Sequence, residues 1–198
     1  MDKYGCDQDP LCYPDTDILI NKLGIKDNAE LQEAEQEFAR TALCEIEFED
    51  PPYDLTYLQS LHKTLFGRVY DWAGEIRDSK ISKGETVFCV PNRIVPEANK
   101  YFNRLADKNF FQGMDEDEFV IAMADLYADI NSVHPFREGN GRAQRILFEH
   151  LALYNDYQIT WKFLSTEEWI QANIDGFKGD SRALVDIFKL QITKIGDV

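Results

Sequence analysis

The sequence predicts a mainly α-helical fold with one short β-hairpin, and three observations carry that prediction. Apolar residues recur with helical rather than strand spacing along most of the 198 residues. A single stretch, 81–89, is short, β-prone and broken by Lys83-Gly84, which suits a small hairpin. No repeat, low-complexity tract or linker divides the chain, so residues 1–198 read as one domain.

Taken in order, residues 1–26 are irregular, with turns at Asp9-Pro10 and Tyr13-Pro14. Asp27, with Glu30 three residues later, caps a helix whose face carries Leu31, Ala34, Phe38 and Ala42. A second helix follows Asp54 and turns Leu55, Leu58, Leu65 and Val69 inward. The hairpin then occupies about 76–90, and helical spacing returns with Ile94, Ala98, Tyr101, Phe102 and Leu105. The acidic run 115–118 reads as a solvated helix N-terminus. Behind it Phe119, Met123, Leu126, Ile130 and Val133 form the seam of a buried central helix. That helix stops at His134-Pro135, because the residue before proline is pushed out of helical geometry. After an eight-residue loop, Ala143, Ile146, Leu147, His150 and Leu151 restart the period. Ser165 with Glu168 forms another capping box, and Ser181 caps a last helix bearing Leu184, Ile187 and Ile192.

The totals narrow the function classes. An apolar content of 44% is that of a globular protein. A net charge of −15 leaves no basic surface for a phosphate backbone, so direct nucleic-acid binding is not expected. The N-terminus lacks a basic-then-apolar secretory pattern, and no apolar run approaches the roughly 20 residues that span a bilayer. Cys6, Cys12, Cys44 and Cys89 form no CxxC pair, so reduced thiols in a cytoplasmic protein are expected.

The chemistry is concentrated between the two central helices, at 134–145. This loop brings together an imidazole, a carboxylate, two glycines, an amide and arginines. Gly139 and Gly141 permit backbone conformations in which amides converge on an anion, at the positive end of the following helix. Arg142 and Arg145, close on one helical face, add donors suited to phosphate oxygens. Glu138 is a hard oxygen ligand for Mg²⁺, and His134 is expected to accept a hydroxyl proton near neutral pH. Such a set suits phosphoryl or nucleotidyl transfer. His62 and His150 lie within helical patterns and read as helix-surface or core residues; Trp72 and Trp161 read as packing residues.

The motif His134, Phe136, Glu138, Gly139, Asn140, Gly141, Arg142 and Arg145 resembles the signature of the Fic family at every specified position. The stretch Val69-Tyr70-Asp71-Trp72-Ala73-Gly74-Glu75-Ile76-Arg77 is similar to the segment leading into that family's flap hairpin. The opening, Asp9-Pro10 to Tyr13-Pro14 and 21–24, is similar to small bacterial Fic toxins. The resemblance implies a protein adenylyltransferase that moves AMP from Mg-ATP to a hydroxyl side chain. His134 would be the general base, and Glu138 would hold the metal at the α- and β-phosphates. Gly139, Asn140 and Gly141 would form the anion hole, and Arg142 and Arg145 would grip the β- and γ-phosphates. The flap residues Lys83, Gly84, Thr86, Val87 and Phe88 would hold the target by β-augmentation. Phe136 is expected to point into the core, and Asn173 is a candidate for the adenine. Gly141, where the phosphate-transferring branch has lysine, favours AMP.

Many members are silenced by a helix reading Ser or Thr, three residues, Glu, then Gly or Asn, whose Glu pairs with the second motif arginine. Thr41 to Ile46 comes nearest, but Ile46 stands where Gly or Asn is required, so that helix is expected in trans from a small antitoxin. Three readings stay open: a toxin acting on a cellular protein such as type II topoisomerase subunits, a host-directed effector, and a non-catalytic interaction protein.

Overall fold

The computed structural model describes residues 9–161 and 165–196; Cys6 and the extreme termini lie outside them. After an irregular opening in which Cys12 and Leu19 bridge, seven helices and two small sheets follow among the described residues. α1 (Asn28–Leu43) starts where Asp27 accepts hydrogen bonds from the amides of Ala29 and Glu30, both at 2.9 Å. Its inward stripe is Leu31, Glu35, Ala39 and Ala42, whereas Ala34 and Phe38 are only half-buried. α2 (Leu55–Phe66) is capped by Asp54 and ends before Val69, which is buried in the turn beyond the helix rather than on it.

The flap is the expected hairpin. β1 (Ser82–Lys83) and β2 (Thr86–Val87) pair antiparallel with Ser82 opposite Val87. α3 (Pro91–Asp107) opens with proline in its first turn, where no amide is needed. α4 (Glu116–Val133), capped by Asp115, is the central helix and packs against α3, α5 (Asn140–Tyr154), α6 (Thr166–Phe177) and α7 (Arg182–Gln191). All five residues of its predicted seam are buried, each contributing about 2 kcal/mol. α5 lies between α4 and α2, and α2 also carries α1.

Three expectations are corrected. α5 begins at Asn140, so the connecting loop is shorter than eight residues and the glycine turn is itself the helix start. Ile192 leaves helix α7 to begin β4 (Ile192–Lys194), which pairs antiparallel with β3 (Tyr157–Ile159) in a second small sheet. Alternation over three residues is too short to register against a helical period. Ser181 precedes α7 without capping it, because its hydroxyl donates to Asp125 at 2.5 Å instead. The Ser165–Glu168 capping box is present. Cys12, Cys44 and Cys89 are free thiols, and no helix of the described residues is long and apolar enough to cross a membrane.

Candidate active site

His134 ends α4 in the left-handed region (φ 49°), sparsely populated for a residue with a side chain and characteristic of functional positions. Its Nδ1–H donates to the Asn131 carbonyl at 2.9 Å, which leaves the lone pair on Nε2. The ring lies under Phe88 of the flap, with centroids 3.8 Å apart and planes at 18°. Burial by this lid pushes the imidazole down to about 3, so it is a neutral base but not one poised near pH 7, as its type alone suggests. Protonation is therefore disfavoured in the folded state. Between the unfolded value of 6.5 and about 3, acid penalises the fold through this residue, and the penalty vanishes above pH 6.5. We expect the His134 ring nitrogens, followed by ¹⁵N NMR, to remain uncharged at pH 5 in the free protein. Titration near 6.5 would contradict the burial.

Arg77, buried at 4% exposure, ties the end of α4 to the flap. Its Nε donates to the carbonyl of His134 (2.7 Å), Nη2 to those of Cys89 (2.5 Å) and Val133 (3.2 Å), and Nη1 to that of Ser79 (2.6 Å). Its backbone amide donates to Pro135 at 2.9 Å. Two of the orphan carbonyls at the end of α4, those of Val133 and His134, are thus satisfied by one guanidinium fork. Lysine cannot reproduce that fan. Arg77→Lys is expected to cost about 3 kcal/mol, with two or more charge-assisted bonds lost, measured by denaturant unfolding.

The loop itself is braced from beneath. Asn140 is 3% exposed; its side chain accepts from the Phe136 amide and donates to the Phe136 carbonyl, each at 2.8 Å. Its amide side chain therefore holds the loop closed. Phe136 is fully buried and stacks on His62 at 3.9 Å, as expected of a core residue. His62 accepts from the Gly74 amide (2.9 Å) through Nδ1 and donates through Nε2 to the Glu138 carbonyl (2.8 Å). It is a core histidine, yet it joins the segment before the flap to the motif loop. Arg137 forms a buried ion pair with Asp9, fastening the opening segment to the same loop.

Gly139 has φ +79°, and a Cβ there would lie 2.4 Å from Phe66 Cε2, so both conformation and space require glycine. Gly141 differs from the sequence expectation. Its φ is not positive, and an added Cβ would meet nothing within 4 Å. Its bareness keeps open the space at the first turn of α5, where amides have no intrahelical acceptor. Glu138 turns its carboxylate back to accept from the Gly139 amide at 3.0 Å, and burial raises its pKa above the usual range. The two arginines lie against different walls. Arg142 bonds to Glu35 and stacks over Phe66 at 4.5 Å. Arg145 is held over Trp161 and Trp169, at 5.5 and 5.4 Å, so Trp161 packs on a motif residue. Asn173 accepts from Asn131 at 3.0 Å and donates to the Trp169 carbonyl at 2.8 Å. Glu45, in the nearest match to an inhibitory helix, pairs with Arg68 at 2.6 Å, not with a motif arginine. A cavity of about 310 Å³ opens beside the flap, lined in part by Val87, Phe88, Tyr101, Val133 and Phe177.

Sequence reasoning missed Glu35, Arg77 and the bridging role of His62. Arg77 sat in a segment recognised only as leading to the flap. His62 carried no signal beyond a titratable ring on the apolar side of a helix.

Comparison with known proteins agrees with this geometry. The Fic/DOC family model matches residues 52–152. The chain is 37% identical over 196 residues to a protein of Escherichia coli K12 named "Probable protein adenylyltransferase Fic", covering 99% of this chain and 98% of that one. It is 33% identical to protein adenylyltransferase VbhT of Bartonella schoenbuchensis, covering 98% of this chain and 41% of that protein. The Fic domain of a VirB-translocated Bep effector from Bartonella quintana, solved with bound ADP, superposes with a TM-score of 0.87 at 28% identity, covering 94% and 95% of the two chains. BepC from Bartonella tribocorum, with bound AMPPNP, gives 0.85 at 28% identity over 93% and 96%. With its motif, its helix–loop–helix and its flap in one arrangement, the chain belongs to the Fic/DOC family.

Proposed function

We propose that this chain is a protein adenylyltransferase that moves AMP from ATP to a hydroxyl side chain of a protein. The observation that carries the reading is the meeting of a neutral, lone-pair-bearing His134 Nε2 with the open first turn of α5 beneath a strand-forming flap. The triphosphate lies along the amides of 139–141, that of Gly139 being released as the Glu138 carboxylate turns away from it, with Arg142 on the β-phosphate and Arg145 on the γ-phosphate. The target segment lies along Lys83, Gly84, Thr86, Val87 and Phe88, pairing with the free edge of the flap. Phe88 must shift from its stack for the hydroxyl to reach Nε2. His134 then accepts the hydroxyl proton as the oxygen attacks the α-phosphorus, and pyrophosphate departs toward the helix N-terminus and the arginines. Positioning and charge stabilisation supply most of the rate.

A magnesium ion fits the donor set. Glu138 offers one half-buried carboxylate, and no cluster of three His, Cys, Asp or Glu exists among the described residues. That pattern suits an ion that draws its other ligands from phosphates and water. When bound, it would neutralise phosphate charge beside Glu138.

We read the role of this chain as that of a cytoplasmic toxin held by an antitoxin in trans, with topoisomerase subunits as candidate targets, on the resemblance of 9–14 and 21–24 to small bacterial Fic toxins. A second reading, a host-directed effector, is favoured by the Bep effectors among the structural relatives. Incubation with α-labelled ATP in bacterial and in animal-cell lysates separates them. A labelled band in the bacterial lysate alone supports the toxin; one in the animal lysate alone supports the effector. No band in either contradicts AMP transfer to such targets.

A further inference from the structure

Helix α1 delivers a carboxylate into the site from 107 residues away in the chain. We propose that Glu35 is a positioning residue for ATP: it fixes the Arg142 guanidinium beside the glycine turn, so that the remaining donors meet the phosphates. This rests on reading 138–142 as the phosphate site.

Glu35 occupies the inward stripe of α1 and is 8% exposed, an unusual place for a carboxylate unless it is fully partnered. Both of its oxygens are used. Oε1 accepts from Arg142 Nη2, and Oε2 accepts from the Tyr70 hydroxyl at 2.6 Å. Burial, reinforced by the charge of Glu35, raises the Tyr70 pKa, so this hydroxyl stays a donor. On its other side the Arg142 guanidinium lies 4.5 Å from the centre of the Phe66 ring, the ring a side chain at Gly139 would strike. Arginine and glycine turn therefore share one floor.

The exposures show which partner faces a ligand: the Arg142 side chain is 31% exposed and that of Glu35 10%. A guanidinium has five N–H donors, and the bond to Glu35 leaves several for an anion. An unrestrained arginine would lose rotamer freedom on gripping phosphate; one already held by Glu35 and Phe66 has lost it on folding. The carboxylate also repels phosphate, which works against binding. It is less exposed than the guanidinium and its second oxygen is engaged by Tyr70, so the positioning effect outweighs the repulsion.

Calorimetric titration with Mg²⁺ and AMPPNP tests this in a double-mutant cycle of Glu35→Gln and Arg142→Ala. Glu35→Gln alone should weaken binding about tenfold, and less than about twofold once Arg142 is gone. In transfer assays the same variant should raise KM for ATP, with kcat at saturation within about threefold. Glu35→Asp keeps the charge but draws it back by one methylene. It should weaken binding about threefold, and it decides the matter if Glu35→Gln does not fold. Unchanged or tighter binding by these variants overturns the proposal, as does an equal loss in the Arg142→Ala background or a fall confined to kcat. Wild type that does not bind AMPPNP overturns the phosphate-site reading itself, and the role of Glu35 with it.

Discussion

His134→Asn is expected to lower AMP transfer by about 10³-fold while leaving AMPPNP affinity within about twofold. Asparagine is the informative choice because residue 134 has φ 49°, a conformation asparagine tolerates better than alanine. Its side-chain amide can also donate to the Asn131 carbonyl, which receives the Nδ1–H of His134 at 2.9 Å. The helix end and its link through Arg77 are therefore preserved, and what disappears is the proton acceptor at Nε2. Single-turnover assays of ATP consumption with an unmodified target protein, beside urea unfolding, separate chemistry from folding. A variant that transfers AMP at more than a tenth of the wild-type rate would show that the proton leaves by another route.

Gly139→Ala is expected to lose nucleotide binding and about 3 kcal/mol of stability together. A left-handed conformation costs a residue with Cβ roughly 1–2 kcal/mol, and overpacking a close-packed site adds roughly 1–3. Here the new methyl would lie 2.4 and 2.5 Å from two atoms of a Phe66 ring that is 1% exposed and cannot retreat. Relief should come from the other side. Phe66→Leu in the Gly139→Ala background should recover part of the stability, because it removes the clashing ring edge but not the dihedral strain. Denaturant unfolding of the four proteins measures this. Additive losses in the double mutant would mean that the ring is not what constrains the turn.

The buried seam of α4 was legible because it is a local apolar repeat, and its stop at His134 because proline acts on its immediate neighbour. The caps Asp27 and Ser165 were legible for the same reason: each acts within three residues. The motif was legible as a set in its residue types and spacing, and the structure places it where α4 ends and α5 begins. Glu35 was not. Periodicity registers apolar positions, so the α1 stripe was drawn through Ala34 and Phe38, and its true register exposes the glutamate as an inward residue only once Arg142 and Tyr70 arrive from far along the chain. Arg77 escaped likewise, because its partners are backbone carbonyls that the fold alone gathers. Burial of His134 by Phe88 is tertiary too, and it is what displaces the imidazole from the range its side-chain type suggests.

The most direct test of AMP transfer is the mass of a target protein after incubation with the wild-type chain, Mg²⁺ and ATP, with His134→Asn beside it. The account predicts a gain of one AMP on a Ser, Thr or Tyr hydroxyl, release of pyrophosphate, and neither with the variant. A gain of phosphate alone, or equal modification by the variant, would contradict it.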